Sequence, residues 1–213
     1  SEQFVSSPEI NGLTAEAVYH MRMSATNSLG TDVSWDLDYH TPPAPEGWER
    51  KISGSTRILW DVFFLDDLTG IICGDSTILR TTDGGETWTQ LYSGIWTRFK
   101  GVEFITPTKG FIMGSYGNLY KTTDAGQSWT PVNSSTGLYL FATHFPNEDL
   151  GWIACDAGLI IHSSDGGDNW SAQNSGVGSN LRGVYFLSAT TGMVVGEDST
   201  IVRTTDGGAT WTR

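Results

Sequence analysis

Lysine is nearly absent from this chain. There are four in 213 residues, and with arginine they make 12 bases against 24 acids. The formal net charge of −12 argues against nucleic acid or an anionic membrane as partner, because phosphates are repelled. Such a charge serves solubility. Cysteine is limited to Cys73 and Cys155. No apolar run nears the roughly 18 residues that span a bilayer, so no membrane insertion is expected. No Ser/His/Asp set, no Cys/His metal cluster and no phosphate-binding glycine loop is evident. The four histidines, His20, His40, His144 and His162, are dispersed. No cofactor and no metal are therefore expected. The chain opens at Ser1 without an initiator Met or a signal peptide, the expectation for a processed product or a piece of a longer protein.

What is present points to β-structure. Gly is high at 26, nine Trp supply material for a core, and strong helix formers are few. Glycine, threonine, serine and aromatics in this mixture predict an all-β fold.

A repeat organises most of the chain. TTDGGETW runs from Thr81 to Trp88, TTDAGQSW from Thr122 to Trp129, SSDGGDNW from Ser163 to Trp170 and TTDGGATW from Thr204 to Trp211. The interval is 41 residues each time, and a fixed period of this size marks a solenoid or propeller. Phe64, Phe104, Phe145 and Phe186 share another column, and Gly70, Gly110, Gly151 and Gly192 each follow that Phe by six residues. A base or histidine precedes each box: Arg80, Lys121, His162 and Arg203. Each unit reads as four short strands, A to D. A is the VxF-type run, B follows the Gly, C enters the box and D carries the Trp. No stretch of helical period intervenes. The cysteines occupy neighbouring columns of the first and third units, which would not touch, so two buried thiols are expected and no disulfide.

The box reads as the hairpin turn between C and D. Its aspartates, Asp83, Asp124, Asp165 and Asp206, suit turn backbone angles and accept bonds from turn N–H groups. Gly85, Gly126, Gly167 and Gly208 supply positive φ without steric cost. Trp88, Trp129, Trp170 and Trp211 return to the sheet and bury roughly 150–250 Å² each between blades. Four copies with the same neighbours read as scaffold, because an active site is rarely repeated in every blade. The basic column also reads as structural.

This pattern closely resembles the Asp-box, or BNR, repeat known from sialidases, xyloglucanases, sortilin-type receptors and photosystem II assembly-factor propellers. The short GxxxG…TTDGGxTW unit is most similar to the last group, which has bacterial relatives. The resemblance covers about residues 45–213 and implies a β-propeller. It is specific for fold and weak for function.

Trp48 lies 16 residues before Phe64, as each box Trp does before the next Phe. That implies a D strand with no A to C before it, hence five D strands for four A–C sets. Such rings often close by sharing a strand between the termini. The expectation is four blades of a six- or seven-bladed ring with more blades downstream. The alternative is a four-bladed ring with a spare strand.

Residues 1–41 alternate in strand fashion and resemble the last strands of a fibronectin type III sandwich. Leu13 and Tyr19 match its tyrosine corner, Tyr19, Arg22, Ala25 and Asn27 its YxxRxxAxN strand, and Gly30 the turn that follows. Residues 42–47, with Pro42, Pro43, Pro45 and Gly47, read as a stiff linker before a propeller over 48–213. This pairing implies a secreted or cell-surface bacterial protein.

If the boxes form one rim, the D–A and B–C loops form the other, which carries the ligand site in Asp-box families. Here that rim would hold Trp60, Tyr92, Trp96, Arg98, Tyr116, Tyr139 and Arg182, with Asp75, Asp156 and Glu197 in the B–C turns and Ser115 in their column. Aromatics beside acids bind sugars or peptides, and they also serve as packing and turn residues. The leading expectation is a non-catalytic extracellular module whose rim binds protein or glycan, with neighbouring copies or other chains of an assembly as further partners. One alternative is a glycoside hydrolase of the sialidase or xyloglucanase type. Arg57, Arg98 and Arg182 are too scattered in sequence to define a sialidase arginine cluster, and the separation of Asp75, Asp156 and Glu197 is not readable. The other alternative is a photosystem assembly factor.

Overall fold

A computed structural model describes residues 18–21, 24–27, 30–33, 37–40, 49–91 and 96–213. The expectations at Leu13, Arg22, the 42–47 linker, Trp48 and Tyr92 fall outside the described residues. The chain divides into two units, Ser1–Arg50 and Lys51–Arg213.

In the first unit, β1 (Val18–Met21) pairs antiparallel with β4 (Leu37–His40), and β2 (Ser24–Asn27) with β3 (Gly30–Val33). Asn27 stands opposite Gly30, and Met21 opposite Leu37.

The second unit is built of four antiparallel sheets, one for each repeat, and its architecture is that of β-propeller blades. Blade 1 holds β5 (Leu59–Phe64), β6 (Gly70–Gly74), β7 (Thr77–Thr81) and β8 (Thr89–Leu91). Blade 2 holds β9 (Phe99–Phe104), β10 (Gly110–Gly114), β11 (Asn118–Thr122) and β12 (Thr130–Asn133). Blade 3 holds β13 (Leu140–His144), β14 (Gly151–Cys155), β15 (Leu159–Ser163) and β16 (Ser171–Asn174). Blade 4 holds β17 (Leu181–Phe186), β18 (Gly192–Gly196) and β19 (Ile201–Thr204), plus a bridge between Arg203 and Thr212. The A strands β5, β9, β13 and β17 contact one another in series, so they are the inner edge from which the blades fan out. One detail differs from expectation: in blades 1 to 3 the Trp precedes strand D by one residue instead of lying within it. Its ring is held edge-on against the strand A Phe, as in Phe64–Trp88 and Phe104–Trp129.

The boxes are wired alike. The Thr81 hydroxyl donates to Asp83 Oδ1 at 2.7 Å and accepts from the Gly85 N–H at 3.0 Å. Asp83 also accepts from the N–H and the hydroxyl of Thr87. The same bonds recur from Thr122, Ser163 and Thr204. The hydroxyls of Thr81 and Thr87 hold the Asp83 carboxyl at about 2, and Thr210 and Thr204 do the same for Asp206. Asn169 and Ser163 lower Asp165 further. At Asp124 burial raises the value, and bonds from Ser128 and Thr122 outweigh it. Each box spans eight residues and is satisfied locally, which is why it repeats intact.

The Gly column is explained by close approach. A Cβ on Gly110 would lie 2.7 Å from the Phe104 ring, and one on Gly151 would run into that of Phe145. The aromatic ring lies flat over the bare backbone of strand B, and only Gly leaves room for it.

Blades pack face to face. The leading face of blade 1 (Phe63, Ile71, Cys73, Ile78) meets the trailing face of blade 2 (Val102, Phe104, Ile112, Trp129). Phe111, Met113 and Leu119 of blade 2 meet Phe145, Ile153, Ile161 and Trp170 of blade 3. Trp152, Ala154 and Ile160 of blade 3 meet Val184, Phe186, Val194 and Val202 of blade 4. The column before the Phe fastens these faces: Phe145 N–H donates to Glu103 Oε1, and Phe186 N–H to His144 Nδ1. In the basic column, Arg80 donates to the Ala125 carbonyl and Lys121 to Asp168, each in the box of the next blade, while the His162 ring packs at a tilt against Trp152 of its own blade. Both cysteines are free and buried, and burial pushes the Cys155 thiol up to about 12.

Candidate functional site

The rim opposite the boxes is set by backbone bonds that also repeat. The N–H groups of Asp75, Ser115, Asp156 and Glu197 donate to the carbonyls of Ile58, Arg98, Tyr139 and Asn180, at the entry to strand A of the same blade. One residue further on, the turn takes positive φ: Ser76 at 51°, Tyr116 at 58° and Ala157 at 54°. The Ser76 N–H then reaches Thr97 O, and Gly117 N–H reaches Leu138 O, both in the following blade. A β-bulge at the start of each A strand accompanies these contacts and turns the strand toward the rim. Backbone geometry is thus constant here while the side chains are free to vary.

Between the first three blades this rim opens a cleft of about 300 Å³. Arg57, Asp75, Trp96, Arg98, Tyr116 and Tyr139 line it, with Ser76, Thr97 and Ser115 forming the polar floor. Trp96 is 84% exposed and Tyr116 70%, so both rings stand in solvent beside the opening. Arg57 lies 5.6 Å from the Trp96 ring centre. Tyr116 and Tyr139 lie 5.4 Å apart, and the Tyr139 hydroxyl raises the Tyr116 phenol above its usual value.

Charge is concentrated beside the cleft. Asp75 accepts from the Trp60 indole at 2.7 Å and faces Arg98 at 3.8 Å. Lys100 caps the other side of Trp60, 3.0 Å from the ring centre. Burial lowers the Lys100 ammonium, Asp75 opposes this, and Arg98 and Arg182 add to it. Several of the chain's few bases therefore act on one another here, while Asp75 faces Arg98 and Glu197 holds Arg182.

The sequence-based candidates separate in space. Asp75, Trp96, Arg98, Tyr116 and Tyr139 converge on the cleft. Trp60 stands behind it, held through Asp75. Asp156 and Glu197 sit on the B–C turns of blades 3 and 4, outside the cleft. Glu197 is engaged by Arg182 and Asn180, and Arg182 also covers the Phe141 ring at 3.8 Å. Arg57 and Arg98, distant in sequence, share one cleft, whereas Arg182 lies outside it, between Glu197 of its own blade and Phe141 of blade 3. Arg57 was absent from the candidate rim because its column partner is Thr97, so no repeated residue type marks the position. Among the described residues, no cluster of three or more His, Cys, Asp or Glu side chains has metal-binding geometry.

Comparison with known proteins gives one family model, photosynthesis system II assembly factor YCF48, matching residues 43–138 and 93–174. The photosystem II assembly protein Ycf48 of Synechococcus sp. (strain JA-2-3B'a(2-13)) is 39% identical over 51 residues, 23% of this chain and 15% of that protein. A structure of YCF48 bound to D1 peptide aligns with a TM-score of 0.62 at 23% identity, over 75% of this chain and 53% of that one. YCF48 from Cyanidioschyzon merolae gives 0.58 at 21%, over 70% and 50%. An ancestral GH74 enzyme gives 0.63 at 20%, over 80% of this chain and 25% of that one. The chain thus spans about half the length of the solved YCF48 proteins and a smaller part of the curated relative.

Proposed function

The chain belongs to the BNR-propeller family of the photosynthesis system II assembly factor YCF48, and on that premise we propose that it is a non-catalytic binding module whose B–C rim takes a peptide segment of a protein partner. The observation that carries the reading is the pairing, in one cleft, of Arg57 and Arg98 with Trp96, Tyr116 and Tyr139. Guanidinium groups and large exposed rings are the residue types that anchor peptides. A YCF48 protein with a bound D1 peptide has the same fold, which supports a peptide over a glycan. We further propose that residues 1–41 belong to a fibronectin III-like sandwich, and that the protein acts outside the cell or at its surface.

The test is an immobilised peptide array probed with the labelled protein. Peptides carrying a carboxylate beside an aromatic or apolar residue are expected to bind. Trp96→Ala, Tyr116→Ala and Arg98→Ala should each weaken binding roughly tenfold or more. Undiminished binding by all three variants would remove this rim from the reading.

Two other readings have support of their own. Asp75 beside exposed rings, with Asp156 two B–C turns further along the rim, is the arrangement behind a glycoside hydrolase reading; turnover on a glycan panel that disappears in Asp75→Asn or Asp156→Asn would carry it. The family itself supports a photosystem assembly role, which a host genome without photosystem genes would exclude.

A further inference from the structure

On the box rim, two columns of the repeat are balanced in charge at two of the three blade–blade interfaces and unbalanced at the other. The base column holds Arg80, Lys121 and His162, and the sixth residue of the following box is Gln127, Asp168 and Ala209 in turn. Between blades 2 and 3 the columns carry opposite charges, and Lys121 pairs with Asp168. Between blades 3 and 4 neither is charged at neutral pH: burial holds the His162 imidazole below its ordinary value, and Ala209 has no ionisable group. Between blades 1 and 2 a guanidinium meets a neutral amide.

The structure leaves that guanidinium without a carboxylate. Arg80 Nε donates to the Ala125 carbonyl at 3.2 Å. Among the described residues its terminal nitrogens have no hydrogen-bond partner, and no ion pair includes it. Asp66 is held low chiefly by the N–H groups of Thr69 and Leu68, and Arg80 is the smallest of the effects on it. Instead of a side-chain pair, a pocket of about 310 Å³ opens here, lined by Arg80, Thr82, Thr87, Thr89, Leu91 and Gln127.

A second column is released toward the same pocket. In blades 2 to 4 the hydroxyls of Thr130, Ser171 and Thr212 donate to the carbonyls of Lys121, His162 and Arg203. Thr89 stands in their column, makes no such bond among the described residues and lines the pocket. The Thr82 hydroxyl is likewise unengaged among the described residues. Gln127 Nε2 donates to the Asp124 carbonyl, which leaves its second N–H free. Thr87 gives its hydroxyl proton to Asp83. The lining thus offers a guanidinium, two hydroxyls and an amide N–H as donors, beside the apolar wall of Leu91. Such a set matches an oxyanion attached to a short carbon chain.

We propose that this pocket binds the carboxylate of a small organic acid, which takes at the first interface the place that Asp168 takes at the second. The site lies on the rim opposite the cleft and does not depend on the peptide reading.

Succinate titrated into the isotope-labelled chain, followed by NMR at constant ionic strength against sodium chloride, tests it. The side-chain amide of Gln127 and the backbone N–H of Thr89 should shift and saturate. Gln127→Asp supplies the missing carboxylate from within the chain and should lower succinate affinity about tenfold or more. Gln127 is exposed, so this variant keeps the fold, which an unchanged far-UV spectrum verifies. Arg80→Gln should lower affinity to a similar degree, and Thr89→Val about 3–10-fold. Shifts that fail to saturate, or that sodium chloride reproduces, overturn the proposal. So does a Gln127→Asp variant that binds succinate as the parent chain does, and so does saturation by inorganic phosphate with none by succinate.

Discussion

The two rims of the propeller use the same economy of backbone and the opposite economy of side chains. On the box rim, Thr81, Asp83 and Gly85 and their three sets of counterparts are near-identical in type and bonded to one another. On the cleft rim the backbone bonds recur as faithfully, yet the turn residue with positive φ is Ser76, Tyr116 or Ala157. Where a side chain must satisfy the turn, its identity is repeated. Where the backbone satisfies itself, identity is released for recognition. The faces between the rims are of a third kind: buried apolar residues of varied size fill the strand B and C columns, and the column before the Phe varies in chemistry as well.

Substitutions can break or sharpen this contrast. The largest effect is expected beside the box rim, at the glycine column. Gly110→Val drives a branched side chain into the Phe104 ring and should cost about 3 kcal/mol or more, read as a lowered urea midpoint.

Next comes Glu103, in a blade–blade face. Burial pushes its carboxyl up to about 8, so the folded protein holds a proton that the unfolded chain gives up near its ordinary value of 4.5. Stability from this group is present below that value and is lost as pH rises toward 8. Glu103→Gln should flatten the loss and gain on the order of 2–3 kcal/mol above pH 8, measured by denaturation across pH.

Smaller again, Thr122→Val leaves the buried Gly126 N–H without its acceptor and should cost about 1–3 kcal/mol. The smallest change belongs to the cleft rim. Tyr116→Gly relieves a positive φ of 58° and should leave stability level or raise it by up to about 1 kcal/mol, while peptide binding falls. If Tyr116→Gly destabilised the fold as much as Thr122→Val, the distinction between the rims would fail.

Much of the fold is legible in the residues. The boxes, the Phe and Gly columns and the hydrophobic pairs entering strand C each depend on contacts within one 41-residue unit or with its immediate neighbour. The cleft is legible only in part. Trp96, Arg98, Tyr116 and Asp75 stand out as unusual residues in loop columns. Arg57 does not, because it enters the site from the preceding blade's loop with no repeated type to flag it. Asp156 and Glu197 share a column with Asp75, and this column reports a shared backbone bond and not a shared site. The inter-blade acceptors Glu103 and His144 are also silent in the sequence, since Phe63 and Tyr185 fill the same column with different chemistry.

The sequence by itself determined the unit. Turn chemistry confined to eight residues and a strict period leave one blade architecture and its repetition, because those interactions close over short stretches of chain. Tertiary structure alone decided which unlike residues of successive blades meet in the cleft, and which side chains fasten one blade to the next, as Glu103 and His144 do. Both depend on contacts between units, and a repeat that specifies each unit equally says nothing about which neighbour a given unit has.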